Sequence, residues 1–412
     1  MSIVASQVEN NWLSESFLNQ QITSILSFYA RFGIQTGQGF NQSLNTHGTS
    51  ENPTHYHLVS SCRLVVNFCR GAVLSDDRVE KDKNLAIAKH GLAFIEHHHC
   101  WQDGQGYHWE LHHGEVIDRD QYCYGYAFLM LTYANAYQAG IKSALPALKS
   151  VHQLMQQIFW QEEFGLFADQ VHSESGQLSS YRGQNANMHA CEALIAAFEA
   201  TQDDQFLQQA LRIANTIVNQ QTASTHGLLW EHYNAGWQVD WTYNRHDPQN
   251  LYKPWGYQTG HFTEWAKLLL ILHDYKPAAW MLDKAKFLVD TAWQRGWDES
   301  RGGLYYGFDP QGLVCDDNKY FWVQAETLPA LAMLSKHYPD GPYLDYLQRL
   351  GAYCESHFIE PTSRVWRRVL NADNQPKDQW VALPGAKCDY HSIGACYDLL
   401  RGNSGHSWLL NG

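Results

Sequence analysis

Apolar residues recur at helical spacing along most of the chain. This pattern predicts helices at residues 8–32, 54–74, 82–98, 120–139, 142–160, 187–201, 203–220, 259–274, 277–294, 318–337, 341–357 and 390–400. Two of the helices carry recognisable start signals. Asp203 and Asp204 lie at the beginning of one helix, and Pro277 opens another at a position where proline is tolerated. The sequence therefore predicts an all-α protein.

A short element, a glycine followed by aromatic or leucine residues, recurs between alternate helices. Its copies are Gly39-Phe40, Gly106-Tyr107-His108-Trp109, Gly165-Leu166-Phe167, Gly227-Leu228-Leu229-Trp230, Gly303-Leu304-Tyr305-Tyr306 and, without the glycine, Val365-Trp366. Successive copies start 59 to 76 residues apart. A shared unit at a nearly fixed spacing is typical of a repeat architecture. The unit is a helix, a short hairpin and a second helix, and it occurs six times.

Six helix pairs can close into a ring, the (α/α)6 barrel. Closure would bury the second helix of each pair on nearly all sides, in agreement with the apolar character of these helices. An open solenoid is the alternative, but its end repeats need polar outer faces. The last helix, DYHSIGACYDLL, lacks such a face. We expect residues 1–412 to form one (α/α)6-barrel domain with short β-hairpins at the connections between helices.

The composition favours a large core: 44% of the residues are hydrophobic, 14% are aromatic and only 17% are charged. No apolar run has the length of a transmembrane helix, and the N-terminus lacks the pattern of a signal peptide. The nine cysteines contain no CxxC pair, so we expect reduced thiols and a cytoplasmic location.

The net charge of −13 makes nucleic acid and membrane surfaces unfavourable partners, and it disfavours a phosphorylated substrate. The sequence contains neither the P-loop pattern nor the glycine pattern of a dinucleotide-binding fold. We therefore expect no nucleotide cofactor. The oligomeric state, monomer or homo-oligomer, is left open by the sequence.

One prominent polar residue interrupts the second helix of each pair. The six are Arg63, Tyr122, His189, His261, Glu326 and His391, and successive members are 59 to 72 residues apart. Equivalent positions in a ring point to one place, here the barrel mouth at the N-termini of the inner helices. A lone histidine in an apolar helix is more often a core residue than a catalyst. Six converging positions, one of them an arginine that needs a partner if buried, instead indicate a functional site.

Neighbouring polar residues extend this set. Asn185 and Trp322 lie four residues before His189 and Glu326, and Glu264 lies three residues after His261. These spacings place each pair on one helix face.

Three motifs resemble the N-acylglucosamine 2-epimerase superfamily, in particular its aldose–ketose isomerase branch. They are Tyr181-Arg-Gly-Gln-Asn-Ala-Asn-Met-His189-Ala-Cys-Glu192, Gly260-His261-Phe-Thr-Glu264-Trp265 and Lys387-Cys-Asp-Tyr-His391. The resemblance covers essentially the whole chain and implies the (α/α)6 barrel. It implies His261 and His391 as the catalytic residues, without metal or cofactor. Residues matching the family's sugar pocket are Arg63, Tyr122, Asn185, His189, Glu264, Trp322, Glu326, Trp366 and Lys387.

Aldose–ketose isomerisation moves a proton from C2 to C1 of the open sugar through a cis-enediol. Histidine suits such steps because its ordinary pKa is about 6.5. Arg63 could stabilise negative charge on the enediolate oxygens. We expect His391 to shuttle the proton and His261 to help open the ring, although the two roles could be exchanged. A 2-epimerase, which returns the proton to the other face of C2, remains the alternative.

The loop 236–257 is long and aromatic and could close a small pocket over a monosaccharide. In the branch that isomerises a sulfonated sugar, the matching loop resembles HRFRAFG. Here it reads Asn250-Leu-Tyr-Lys-Pro-Trp-Gly256, where Lys253 is the one cation. The expected substrate is therefore a free neutral monosaccharide: D-mannose giving D-fructose, with D-lyxose giving D-xylulose as a second reaction.

Three other functions are alternatives to the isomerase. A glycoside hydrolase would need two carboxylates around the scissile bond, for which Glu264 and Glu326 are candidates. A metalloenzyme could use the histidines of residues 96–113, but their spacing fits no common zinc pattern. A sugar-binding protein without catalytic activity would have no need for His261 and His391.

Overall fold

The computed structural model describes residues 11–35, 38–50, 52–250, 252–377 and 388–403. Twelve α-helices lie within these residues: α1 (Glu15–Phe32), α2 (Leu58–Leu74), α3 (Arg78–Phe94), α4 (Cys123–Gln138), α5 (Ala144–Ile158), α6 (Gln184–Thr201), α7 (Asp204–Ala214), α8 (Thr259–Tyr275), α9 (Ala279–Gly296), α10 (Phe321–His337), α11 (Tyr343–His357) and α12 (Tyr390–Asn403). Each predicted helix is present. Asp203 caps α7 through its side chain, as expected, whereas Pro277 lies two residues before α9.

The even-numbered helices form a closed inner ring. Each of α2, α4, α6, α8, α10 and α12 packs against the next, and α12 contacts α2 to close the circle. The odd-numbered helices pack outside them: α3, α5, α7, α9 and α11 lie against the preceding inner helix, and α1 lies against α12 and α2. The inner helices are buried on nearly every side, which agrees with their weak amphipathicity. This architecture confirms the (α/α)6 barrel and contradicts the open solenoid.

Fourteen short strands connect the helices within the described residues: β1 (His55–His57), β2 (Glu110–His112), β3 (Glu115–Asp118), β4 (Gln121–Tyr122), β5 (Trp160–Gln161), β6 (Leu166–Phe167), β7 (Gln170–Val171), β8 (Arg182–Gly183), β9 (His232–Tyr233), β10 (Tyr257–Gln258), β11 (Gly307–Phe308), β12 (Val314–Asp316), β13 (Lys319–Tyr320) and β14 (Val369–Leu370). All pairings are antiparallel. Two sheets have three strands, in the orders β1-β2-β3 and β10-β11-β12, and the other pairs are β4-β7, β5-β6, β8-β9 and β13-β14.

Several inner helices begin later than predicted because a strand precedes them. The predicted starts at 54, 120 and 318 correspond to helices that begin at Leu58, Cys123 and Phe321. In each case the strand β1, β4 or β13 occupies the preceding residues in extended conformation. Each of these strands pairs with a strand farther along the chain, β1 with β2, β4 with β7 and β13 with β14, directly before the N-terminus of an inner helix.

The recurring glycine–aromatic element forms the predicted hairpin after an outer helix in five of its six copies. The paired residues are Ile34 with Phe40, Cys100 with Tyr107, Trp160 with Phe167, Trp297 with Leu304, and Ile359 with Trp366. Inner-helix side chains bind two of these hairpins. Asn187 and Gln324 each bond both the N–H and the C=O of Phe167 and Leu304, respectively.

None of the helices in the described residues is long and apolar enough to cross a lipid bilayer. All nine cysteines are unpaired thiols, and seven of them are buried.

Candidate active site

A cavity of about 570 Å³ lies at the end of the barrel where the inner helices begin. The predicted site residues that line it are Arg63, Tyr122, Asn185, His189, His261, Glu264, Trp322 and His391. The ring closure brings these side chains together from all six repeats. Because helix N-termini carry partial positive charge, this end of the barrel favours negative charge in a bound substrate or transition state.

His261 is held by a buried carboxylate that the sequence analysis did not identify. Its Nδ1 lies 2.9 Å from both carboxylate oxygens of Glu231. Gln184 contacts the same carboxylate. Its Oε1 accepts a hydrogen bond from Trp265 Nε1 at 2.6 Å, which identifies its Nε2 as the donor, and Nε2 donates to Glu231 Oε2 at 2.9 Å. Glu231 therefore accepts the Nδ1 proton of His261, and Nε2 is the nitrogen that can exchange a proton in the cavity.

His391 has the same kind of support from a different helix. Its Nδ1 lies 2.6 Å from Oε1 of Glu326, and the other oxygen of Glu326 accepts from Lys267 Nζ at 2.6 Å. Trp322 is close to both imidazoles, with its ring centroid 5.1 Å from that of His261 and 5.8 Å from that of His391. The two histidines therefore share one cavity, each with a carboxylate at Nδ1.

Arg63 is a buried cation in the cavity wall. Its Nη2 donates to the hydroxyl of Tyr124 at 3.0 Å, and its guanidinium lies 4.4 Å and 4.8 Å from the ring centroids of Phe128 and Tyr390. Burial opposes its charged form, but the surrounding phenol, thiol and carboxyl groups outweigh this and raise its pKa. Arg63 is thus a permanent positive charge fixed beside the histidines.

A second acidic cluster surrounds His189. Its Nδ1 lies 2.9 Å from Glu192 and 3.9 Å from Glu264. Burial opposes ionisation of Glu192, but the hydrogen bond and charge of His189, with Lys267 and Arg70, outweigh it and lower the pKa of Glu192. Glu264 behaves in the opposite way, because burial, together with Glu326 and Glu192, raises its pKa well above the ordinary value. Glu264 is therefore a neutral carboxylic acid that can donate a hydrogen bond to a ligand.

Three acidic residues of the cavity wall follow the recurring glycine element at the same interval. Glu110, Asp169 and Glu231 each lie four residues after the glycine of their copy, Gly106, Gly165 and Gly227, and all three line the cavity. Sequence analysis missed them because it searched the helices and not the hairpin ends. The repeat spacing was the signal that could have found them.

His57 also lines the cavity and was missed. Its Nδ1 accepts from the backbone N–H of Val59 at 3.1 Å, capping α2, so the ring proton is on Nε2. Burial lowers the pKa of His57 to about 3, with smaller effects from His99, Arg63 and His55, and keeps the ring neutral. Nε2 is buried, and no described residue accepts from it. His57 is thus a neutral ring in the cavity wall whose Nε2–H is covered and lacks an acceptor among the described residues.

The loop 236–257 covers part of the cavity. Tyr243, Asn244, Asn250, Tyr252, Lys253 and Pro254 line it. The ammonium of Lys253 lies 4.0 Å from the ring centroid of Tyr181, and burial lowers its pKa against the opposing charge of Asp169. This lysine, which shares the loop with Arg245, is therefore opposed by a carboxyl group of the same cavity.

Trp366 does not line the cavity, contrary to the expectation from the resemblance. It belongs to the hairpin register that also contains Phe40, Tyr107, Phe167 and Leu304, all of them buried core residues. Its ring is fully buried, packs against Phe358 and meets the edge of Trp12. Trp366 is a packing residue of its repeat and not a surface for a sugar.

The other predicted site residues are Glu326, Tyr122 and Lys387. Glu326 is buried behind His391 and contacts Lys267, so it orients a histidine and does not face the cavity. Tyr122 lines the cavity and donates from its hydroxyl to Asp118 at 3.0 Å. Lys387 lies outside the described residues.

Two groups in the described residues could hold a metal ion: His189 with Glu192 and Glu264, and Glu264 with Glu326 and His391. In each group the possible ligand atoms lie within 4.8 Å of one another. Lys267 already places an ammonium against the second group, and His189 binds Glu192 in the first. The histidine-rich segment 96–113 contributes no such group among the described residues; His99 bonds instead to the carbonyl of His108 at 2.8 Å.

The N-acylglucosamine 2-epimerase (GlcNAc 2-epimerase) family model matches residues 39–395. A D-mannose isomerase of Marinomonas mediterranea is 41% identical over 389 residues, covering 94% of this chain and 97% of that protein. A crystal structure of a D-mannose isomerase superposes with a TM-score of 0.90 at 40% identity, covering 97% of this chain and 100% of that chain.

A cellobiose 2-epimerase from Bacillus thermoamylovorans superposes with a TM-score of 0.80 at 17% identity, covering 94% of this chain and 100% of that one, and shares the fold. From the family match, and from relatives that span nearly its whole length, the chain belongs to the N-acylglucosamine 2-epimerase family.

Proposed function

We propose that this chain is a metal-independent aldose–ketose isomerase that interconverts D-mannose and D-fructose, and also D-lyxose and D-xylulose. The observation that carries the proposal is the pair of imidazoles of His261 and His391, each with a carboxylate at Nδ1, close to Trp322 in one cavity. The similarity to D-mannose isomerases, at 41% identity for one relative, supports the same reaction and substrate.

In the proposed reaction His391 takes the C2 proton of the open aldose on Nε2 and returns it to C1. The electron pair of the C2–H bond forms the C1–C2 double bond of the enediolate, and a second proton leaves O2 while O1 gains one, so that C2 becomes the carbonyl carbon. His261 assists ring opening by proton transfer at the ring oxygen and O1. Glu231 and Glu326, each at hydrogen-bond distance from Nδ1 of its histidine, stabilise the imidazolium form of each base.

Charge on the enediolate oxygens would be met by Arg63 and by the N-termini of the inner helices. Neutral donors complete the set: the protonated Glu264, Nε2 of His57 and the Asn185 amide can bind sugar hydroxyls. The indole of Trp322 offers a flat face to the sugar. We keep Lys387 as a proposed binding residue on the family motif alone.

A neutral monosaccharide fits the charge balance of the site. Lys253 of the covering loop is opposed by Asp169, so the loop supplies no excess positive charge for a sulfonate or phosphate. We propose that the whole chain works as one catalytic domain in the cytoplasm, where its nine unpaired thiols would stay reduced. Nucleic acid and membranes are not proposed as partners of this acidic chain.

A glycoside hydrolase is less compatible with the geometry. Glu326, one of the two candidate carboxylates, is bound to Lys267 and His391 and does not line the cavity. Of the two, Glu264 alone lines the cavity, so the carboxylate pair named from the sequence cannot flank a scissile bond.

The test is proton NMR of D-mannose, D-glucose, D-lyxose and N-acetylmannosamine, each incubated with the protein in D2O. We expect D-fructose from D-mannose and D-xylulose from D-lyxose, with deuterium entering C1 of the ketose. Conversion of D-mannose to D-glucose deuterated at C2, without ketose, would establish a 2-epimerase instead. Prior dialysis against EDTA should leave the rate unchanged; loss of activity that Mg²⁺, Mn²⁺ or Zn²⁺ restores would contradict the metal-independent reaction.

A further inference from the structure

Lys267 is an ammonium group buried in the centre of the barrel. It lies on α8, six residues after His261, and only 4% of the residue is exposed. It does not line the cavity that contains the histidines. Burying a lysine charge is unfavourable unless close partners compensate. A lysine at this position therefore calls for an explanation from its surroundings.

The partners of Lys267 come from two other inner helices. Its Nζ lies 2.6 Å from Oε2 of Glu326 on α10 and 3.2 Å from Oδ2 of Asp398 on α12. Burial opposes the charged form, but Glu326 and Asp398, with Glu192 and Glu264, outweigh it and raise the pKa of Lys267. Lys267 is thus a permanent cation that joins α8 to α10 and α12.

The carboxyl groups around Lys267 are too close together for all to ionise without a cation. Atoms of Glu264, Glu326 and His391 lie within 4.8 Å of one another. Two neighbouring carboxyls in a buried site divide into one charged and one neutral group. Glu264 takes the neutral role. The ammonium touches Glu326, whereas Glu264 is not among its hydrogen-bond partners, so the negative charge is stabilised on Glu326.

Resting on the function proposed above, we propose that Lys267 is a positioning residue that keeps Glu326 a carboxylate. The carboxylate in turn keeps His391 in the tautomer with its proton on Nδ1, the nitrogen that faces away from substrate. An ionised Glu326 can only accept, which requires the proton on Nδ1 and leaves Nε2 as the base. A protonated Glu326 could donate to Nδ1 instead. The proton of a neutral imidazole would then sit on Nε2, and His391 could not take a proton from C2.

The experiment compares Lys267→Ala with the wild-type protein and with Lys319→Ala. Lys319 is a matched control, because it is also a buried lysine paired with a carboxylate, Asp298, at 2.8 Å, but it lies outside the site. We expect Lys267→Ala to lower kcat by about 10²-fold, the scale of a lost general base, with KM changed less than about threefold. Lys319→Ala should keep the wild-type kcat per folded molecule.

Rescue by added amines distinguishes a positioning role of Lys267 from a role in folding. A void of about 50 Å³, lined by Lys267 and Asp398, adjoins the buried ammonium, and truncation of Lys267 to alanine would enlarge it. Propylammonium should raise the kcat of Lys267→Ala by about 10-fold, since it restores an N–H donor to Glu326. Tetramethylammonium, which has the charge but no N–H, should not. If Lys267→Ala does not fold, Lys267→Met, which keeps the volume, replaces it for the kcat and NMR comparisons.

Nitrogen-15 NMR of labelled histidine gives a readout independent of turnover, with His391→Ala used to assign the signal. The wild type should carry the His391 proton on Nδ1, and Lys267→Ala should lose this preference. The proposal is overturned if Lys267→Ala keeps a kcat within about threefold of wild type and an unchanged His391 signal. Failure of the wild type to isomerise any sugar would instead refute the proposed function, and the NMR comparison would still test Lys267.

Discussion

Replacing Glu231 by glutamine isolates the contribution of the carboxylate behind His261. The change keeps the size of the side chain and removes its charge. In the native site His261 Nδ1 and Gln184 Nε2 both donate to this carboxylate, at 2.9 Å each. An amide has only one acceptor atom for these two donors. Either one donor then faces an NH2 group, or the proton of His261 moves from Nδ1 to Nε2, so that Nε2 is no longer a base.

The size of the effect follows from the geometry. At a separation of about 4 Å and an effective dielectric constant of about 20, the carboxylate stabilises the imidazolium by about 4 kcal/mol. Because about 1.4 kcal/mol corresponds to a tenfold change, the full loss would be about 10³-fold. Relaxation of the amide recovers part of this, so we expect kcat to fall by about 10²- to 10³-fold, with KM nearly unchanged.

The assay is ketose formation from D-mannose followed by NMR, with circular dichroism and Tm as checks of folding. Glu199→Gln is the matched control, because Glu199 is a buried carboxylate that bonds Arg401 at 3.1 Å away from the histidines. That variant should lose stability and keep kcat. The reasoning is refuted if Glu231→Gln is folded and retains kcat within about threefold of wild type.

Three further predictions follow from single residues. His57→Phe removes a neutral donor to substrate, so KM should rise by about 5- to 10-fold with little change in kcat, and an unchanged KM would exclude His57 from binding. Trp366→Ala should cost about 3–5 kcal/mol of folding stability, read by urea unfolding, and leave KM of the folded protein unaltered; a raised KM would return Trp366 to the pocket. Burial raises the pKa of Asp169 to about 7, against the opposing effects of the Gly183 N–H, Lys253 and Arg182. The folded protein therefore holds this proton more tightly than the unfolded chain, and the stability from Asp169 is complete below about pH 4 and lost as the pH rises through about 7. Asp169→Asn should remove that fall from a plot of Tm against pH between 5 and 7.5, and an identical slope in both proteins would contradict the assignment.

Most of the barrel could be predicted from the sequence because its signals repeat. Six copies of one unit fix the number of helices, their pairing and the place where inner-helix residues converge, so His261 and His391 could be assigned to one mouth before any coordinates. The predicted starts of helices such as α2, which begins at Leu58, are too early, because the preceding strands are only two or three residues long and their pairing partners are distant in sequence.

The features of the site that could not be predicted depend on contacts between particular side-chain atoms. Glu231 comes from the segment between α7 and α8 and reaches His261 across 30 residues, a contact that helical periodicity does not report. His57 is a polar residue before a helix, and only its bond to Val59 shows which nitrogen carries the ring proton. Trp366 matched a family position, yet its own repeat register, shared with Phe40 and Phe167, already indicated the core.

The central claim is that His261 and His391 move protons on one sugar in one cavity. The most direct measurement is proton–deuterium exchange at C2 of D-mannose in D2O, with ketose formation followed in the same NMR sample, for wild type, His261→Ala and His391→Ala. We expect exchange and ketose in the wild type, neither in His391→Ala, and no ketose in His261→Ala, with all three proteins giving the same circular dichroism spectrum. Wild-type rates of exchange and ketose formation in either variant would contradict the claim.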